Sequence, residues 1–147
     1  MSENLASKEV FSVRYTESIE DLAPEKLQGF FVGWPNKPSP QTHLQLLKKS
    51  DHRVIALNEK DEVIGFITAI TDGVLSAYLP FLEVLPNDQG KGIGHELMRR
   101  MLEKLKHLYM IDLSCDPKIQ SFYERLGMEK SVGMRLRSYP NQNGEGR

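Results

Sequence analysis

The sequence predicts one domain of the mixed α/β (α+β) class, built on a mostly antiparallel central sheet. Three patterns predict it. Residues 52–85 read as a meander of strands separated by hairpin signals. Residues 92–107 read as an amphipathic helix entered directly from a glycine-rich turn. Residues 109–127 then add one further strand and a helix with recognisable ends.

The elements follow in order. Residues 1–9 are polar and are expected to form a flexible N-terminus. Val10 to Tyr15 alternates in the manner of a strand. Pro24 suits the first position of a short helix carrying Leu27, Phe30 and Phe31. The prolines of residues 32–40 mark a loop. Ser39 can cap, and Pro40 can open, a second helix to Lys49. His52 to Leu57 is a strand, residues 58–61 a hairpin turn, and Glu62 to Thr71 a returning strand. The nearly continuous apolar run of that returning strand suggests burial on both faces. Asp72-Gly73 signals another turn, and Val74 to Leu85 a third strand. Pro80 interrupts it. Proline gives no N–H to the ladder, so the strand is expected to kink there and part from a neighbour.

Ile93, Leu97, Met101, Leu105 and Leu108 form one apolar stripe on the helix that follows, with Arg99, Arg100, Lys104 and Lys106 as its solvated face. Tyr109 to Ser114 reads as a strand. Asp116 is placed to cap a helix opened by Pro117 and stopped by Gly127. Two last strands are expected within Met128–Lys130 and Met134–Tyr139. The domain thus covers residues 10–139, and residues 140–147 form a polar tail.

Composition narrows the classes. A chain of 147 residues is long enough to bury a core, and 39% apolar with 27% charged residues is ordinary for a globular protein. A net charge of −1 argues against a general nucleic-acid binder. Cys115 is the only cysteine, so no internal disulfide can form. The first ten residues are mixed in charge and unlike a signal peptide, and no apolar run approaches the ~20 residues of a membrane span. A cytoplasmic protein without membrane or nucleic-acid partners is the expectation, and no metal is expected.

The chemistry lies in residues 82–94, where an apolar strand passes through Gln89-Gly90-Lys91-Gly92-Ile93-Gly94 into the helix. Glycines at every second position allow close backbone approach, and the helix start adds unpaired N–H donors. Such a turn suits phosphate. The dinucleotide fingerprint Gly-x-Gly-x-x-Gly fails on spacing, and a P-loop fails because Gly92, not Ser or Thr, follows Gly90-Lys91. The pattern that fits is Gln/Arg-x-x-Gly-x-Gly/Ala, met by Gln89, Gly92 and Gly94. With Phe122-Tyr123-Glu124-Arg125-Leu126-Gly127-Met128 downstream, which is similar to a Phe-Tyr-x-x-x-Gly-Phe segment, the chain resembles the GNAT superfamily of N-acetyltransferases. The resemblance spans residues 10–139.

That resemblance implies helices on both faces of the sheet and a splayed strand pair that holds the acyl-carrying arm of acetyl-coenzyme A. It implies acetyl transfer to a primary amine by direct attack within a ternary complex. Gln89, Gly90, Lys91, Gly92, Ile93 and Gly94 would hold the pyrophosphate. Lys91 and Arg125 would add charge, or be surface cations. The main chain of Leu82 and Val84 would pair with the pantetheine arm.

Tyr123 is the candidate general acid for the leaving thiolate, with packing on the sheet as the alternative; Phe122 suits the core. Glu83 is the candidate base through water, or a structural carboxylate. Tyr78 falls near a position where some members carry an acidic base, and a neutral tyrosine is a poor base. His43 and His52 titrate in a useful range but are weaker candidates. Asp116 stands where the family often has asparagine, so it is read as a cap. Met128 stands for the usual phenylalanine. Phe31, Trp34 and Tyr78 are expected to contact the acceptor, alongside Phe30 and His43, although the same aromatics could seal one end of the core. The acceptor is a small-molecule or peptide amine. Exposed strand edges in the C-terminal part would allow a homodimer. A non-catalytic acyl-coenzyme A sensor or interaction module is the competing reading.

Overall fold

The computed structural model describes residues 12–146. Its centre is a six-stranded, mostly antiparallel sheet. Strands β1 (Arg14–Thr16), β2 (His52–Leu57) and β3 (Val63–Thr71) pair antiparallel in that order. Strand β3 then pairs antiparallel with both β4 (Ser76–Tyr78) and β5 (Leu82–Val84), and β4 pairs parallel with β6 (Met110–Asp112). The expected run from Val74 to Leu85 is thus two short strands around Pro80. The first strand is observed over Arg14–Thr16; Val10 and Phe11, and residues 1–9 with them, lie outside the described residues.

Helices cover both faces. Helix α1 (Pro40–Lys49) starts as the sequence predicts, with Ser39 Oγ accepting the Thr42 N–H at 3.1 Å. Helix α2 (Ile93–Lys104) lays Ile93, Leu97, Met98 and Met101 on one side of β2, β3 and β5. Gly65 permits that approach, since a Cβ there would stand 3.2 Å from Leu97 Cδ1 and from the Glu83 carbonyl. The opposite face holds Leu44, Leu47, Phe30, Phe31 and Phe66. Strand β3, buried from Val63 to Ala69, is the layer between the two cores.

Four expectations are corrected. The segment opened by Pro24 makes only a single 3₁₀ turn, Pro24–Lys26; Gly29 at φ +87° and Phe31 at φ +62° turn the chain before a helix can form. Tyr109 to Ser114 is a strand only over Met110–Asp112, where β4 offers a partner. Asp116 precedes a 3₁₀ turn, Pro117–Ile119, that leads into the short helix α3 (Gln120–Glu124), but its side chain makes no capping bond. Met128–Lys130 and Met134–Tyr139 form no strands, because no sheet edge of this chain pairs with them among the described residues.

Gly127, at φ +93°, ends α3 as expected, with the Met128 N–H donating back to the Tyr123 carbonyl at 3.2 Å. The C-terminal residues are tied down: the Asn36 N–H donates to Gln142 Oε1 at 2.9 Å, and Asn36 Nδ2 donates to the Tyr139 carbonyl. Among the described residues no helix is long and apolar enough to cross a membrane.

Candidate active site

The kink at Pro80 opens the sheet. Thr71 pairs with Ala77 and Ile70 with Tyr78, but Ile67 pairs with Leu82, so the partner strand carries one extra residue across this interval. That is a β-bulge. Strand β6 follows β4 only as far as the Leu79 N–H, which donates to the Asp112 carbonyl at 2.9 Å. Beyond it, β5 keeps β3 on one side and has no strand on the other among the described residues.

The phase of that free edge is fixed. The Phe81 carbonyl accepts from Thr68 N–H and the Leu85 N–H donates to the Ile64 carbonyl, so odd-numbered residues turn their main chain toward β3. By alternation Leu82 and Val84 turn theirs into the gap. The Val84 carbonyl already accepts from Gln89 Nε2 at 3.0 Å. Gln89 therefore acts through its side chain, fastening the turn to the strand. That contact was not foreseen.

The turn itself has the conformation that its glycines allow. Gly90 and Gly92 sit at φ +80° and +82°, and a Cβ on either would meet only open space. Backbone conformation is what requires glycine at both. Gly92 is the residue before α2, and no side chain caps that helix start. The first backbone N–H bonded within the helix is that of Glu96, to Gly92 O at 3.0 Å. The N–H groups before it form an uncapped donor set at the positive end of a helix dipole. Lys91 Nζ lies 3.3 Å from Asp88 Oδ1 at the rim, and Arg125 is exposed on the neighbouring segment.

Gly94 joins this turn to α3. A Cβ there would lie 3.7 Å from both Phe122 Cζ and Val84 Cγ2, so the absence of one brings helix, strand and Phe122 together. Phe122 packs on the core as expected. Its neighbour Tyr123, ring centroids 4.9 Å away, lines a groove of about 1000 Å³ together with Asp112, Ser114 and Cys115. Burial raises the Tyr123 hydroxyl to about 12, with charge at Cys115 adding to the effect. The phenol therefore keeps its proton throughout the physiological range. Tyr78, which is exposed, donates to Ser114 Oγ at 3.1 Å across the β4–β6 pair. Its partner lay 36 residues away in sequence, and no local pattern announced it.

On the other face, Glu83 does not stand free. One carboxylate oxygen accepts the Phe31 N–H at 2.9 Å and the other the Val32 N–H at 3.2 Å. Phe31 itself is buried, 2% exposed, so it is wall material and not an open contact surface. Trp34 is half-buried against it, with ring centroids 4.9 Å apart, and Phe81 meets both. His43 lies inside the cluster, its ring 4.3 Å from Phe66 and 5.0 Å from Phe31. Neither ring nitrogen has a hydrogen-bond partner, and burial lowers its pKa to about 4. His52 lies elsewhere, on β2, its pKa also lowered by burial. Among the described residues no group of His, Cys, Asp and Glu side chains could hold a metal.

Comparisons with known proteins bear on the fold and the family. A candidate acetyltransferase from Deinococcus radiodurans R1 superimposes with a TM-score of 0.87 at 44% identity, covering 89% of this chain and 92% of that one. A GNAT family acetyltransferase from Streptococcus pneumoniae TIGR4 superimposes with a TM-score of 0.69 at 28% identity, covering 88% and 98%. Among curated relatives, the uncharacterized N-acetyltransferase ycf52 of Porphyra purpurea is 29% identical over 105 residues, 67% of this chain and 59% of its own length. The chain spans roughly half to three-fifths of the curated relatives it matches first. Residues 18–128 match the profile described as the Acetyltransferase (GNAT) family, and the chain belongs to that family.

Proposed function

We propose that this protein moves an acetyl group from acetyl-coenzyme A to a primary amine of a small molecule or peptide by direct attack within a ternary complex. One observation carries the reading: a bulged strand with an open outer edge leads, through two left-handed glycines, into an uncapped helix start. The donor chemistry of that path fits the cosubstrate. Leu82 and the Val84 N–H offer strand-type pairing to an amide-containing arm. The N–H groups from Gly90 to Gly94 and the Lys91 ammonium suit a pyrophosphate, with Arg125 close in sequence to Tyr123 as a further cation.

The bound cosubstrate supplies an activated thioester carbonyl: the amine nitrogen bonds to that carbon, the carbon–sulfur bond breaks, and the sulfur gains a proton as the nitrogen loses one. Tyr123 serves the sulfur. With its hydroxyl near 12 and a thiol ordinarily near ~8.5, complete transfer of its proton is uphill, so Tyr123 acts chiefly by donating a hydrogen bond to the developing thiolate. Glu83 is read here as a positioning carboxylate, one of the two roles the sequence left open, because both its oxygens accept bonds from the loop at Phe31 and Val32. Trp34, half-buried, and Tyr78, exposed, have the free surface that contact with the acceptor would need in this reading.

The test is calorimetric titration with coenzyme A alongside release of free thiol from acetyl-coenzyme A over a panel of amines. Binding with amine-dependent thiol release is expected. Folded protein that takes up no coenzyme A would overturn the assignment; tight binding with no release on any amine would favour the sensor reading.

A further inference from the structure

The bulge at Pro80 decides which side chains share a face of the sheet. Ala77, Leu79 and Leu82 turn toward the α2 core, and Phe81 turns toward the α1 core. Tyr78, between Ala77 and Leu79, takes the α1 side by alternation. An unbroken strand would put Tyr78 and Phe81 on opposite faces. The extra residue brings both to the α1 side, on the two banks of the gap.

This stretch of the face is uncovered. The buried residues of α1 cluster with Ile55, Leu57, Val63 and Phe66, short of the end of β3. Beyond them Ile70 is 56% exposed, Tyr78 41% and Met110 39%. Ile70 pairs with Tyr78 and Tyr78 with Asp112, so the three form one row across β3, β4 and β6. On the other bank, Trp34 and Phe81 are half-buried, their ring centroids 6.2 Å apart. An apolar strip therefore runs from Trp34 and Phe81, across the gap, to Tyr78, Ile70 and Met110.

Free charge on the strip is scarce. Both oxygens of Glu83 are occupied by the Phe31 and Val32 N–H groups. Asp72, at the hairpin, accepts from the N–H groups of Val74, Leu75 and Ser76. The Asp112 carboxylate is exposed and has no hydrogen-bond or ion-pair partner among the described residues. It stands at the mouth of the gap, because the Asp112 carbonyl takes the last N–H, that of Leu79, before the strands part.

Resting on the acetyl-transfer reading above, we infer that the acceptor is a primary monoamine carried on an aromatic or branched apolar body. The body lies on the strip of Phe81, Tyr78 and Ile70. Asp112 receives the ammonium form at the mouth of the gap, before the amine loses a proton to solvent and attacks. One free carboxylate suits one ammonium. A polyamine or an aminoglycoside brings several, and the others would lie against apolar side chains without a counter-charge.

Thiol release from acetyl-coenzyme A with 2-phenylethylamine, butylamine, spermidine and kanamycin tests this, the two monoamines being compared at equal concentrations of neutral amine. The kcat/KM for phenylethylamine should exceed that for butylamine by about tenfold or more, and spermidine and kanamycin should fall below both. Ile70→Asn should raise the phenylethylamine KM by about tenfold and shrink its advantage over butylamine. Coenzyme A affinity and circular dichroism should not change, since the Ile70 side chain is exposed and folding does not need it. Asp112→Asn should raise the KM of both monoamines and keep the preference between them. Equal kcat/KM for the two monoamines, better turnover of spermidine or kanamycin, or an unchanged KM in either variant would overturn the inference and leave acetyl transfer standing. Coenzyme A binding with no thiol release on any amine would overturn both.

Discussion

Glu83 and Phe31 are joined across 52 residues of sequence by a 2.9 Å hydrogen bond from the Phe31 N–H to the Glu83 carboxylate. Phe31 holds φ +62°, a left-handed conformation that costs a non-glycine residue about 1–2 kcal/mol. Two charge-assisted bonds, to Phe31 and Val32, offset it. Glu83→Ala should lower stability by about 2 kcal/mol and raise the acceptor KM more than it lowers kcat. Glu83→Gln keeps one acceptor oxygen and should recover part of both. Denaturation and steady-state kinetics read these effects. An E83Q enzyme with collapsed kcat and an unchanged acceptor KM would identify Glu83 as the proton acceptor instead.

Gly92 separates the binding role of the turn from its folding role. A Cβ at φ +82° meets no atom within 4 Å, so Gly92→Ala pays only backbone strain, about 1 kcal/mol. That strain falls on the residue from which the uncapped N–H groups of α2 take their direction. Coenzyme A affinity should therefore fall by about tenfold or more, beyond what the stability change explains. Calorimetric titration beside thermal unfolding separates the two. Equal affinity in the variant would remove the turn from the binding site.

Legibility in the sequence tracked locality. The caps of α1, the buried run of β3, the break at Pro80 and the positive-φ turn at Gly90 and Gly92 each depend on neighbours within a few residues, and each could be read. The Glu83 clamp and the Tyr78–Ser114 pair depend on strand register and loop closure across 52 and 36 residues, which spacing does not encode. Phe31 was expected at a contact surface because aromatic content marks a wall but not which side of it faces out. The strands expected within 128–139 were read from a real alternation at Val132, Met134 and Leu136, but no strand of the sheet pairs with them among the described residues.

Tyr123→Phe removes the hydroxyl and keeps the ring that packs against Phe122. Stability and coenzyme A affinity should change little, while kcat falls by about a hundredfold if chemistry limits turnover. The hydroxyl is raised to about 12, so it stays protonated through pH 10, and no loss of rate on the alkaline side up to there should come from it. Any acidic limb belongs to the amine, which must be neutral to attack, and should move with the pKa of the amine used. Unchanged kcat in the variant, with a solvent-viscosity control showing that release is not limiting, would remove Tyr123 from the chemistry.

His43 sets an acid limit on stability. Its ring is 1% exposed among Phe30, Phe31 and Phe66, both nitrogens lack partners, and burial lowers its pKa from 6.5 to about 4. The folded state thus refuses a proton that the unfolded chain accepts below pH 6.5. Between 6.5 and about 4 the unfolded state binds more protons, so stability falls as pH falls; above 6.5 both states are neutral and nothing is lost. The full loss is roughly 3 kcal/mol, reached below about pH 4. His43→Met nearly conserves volume and leaves no orphaned nitrogen. Denaturant unfolding from pH 7 to pH 4 should show a shallower decline for the variant, with at least equal stability at pH 7. A decline as steep as in the wild type would mean that other groups carry the acid sensitivity.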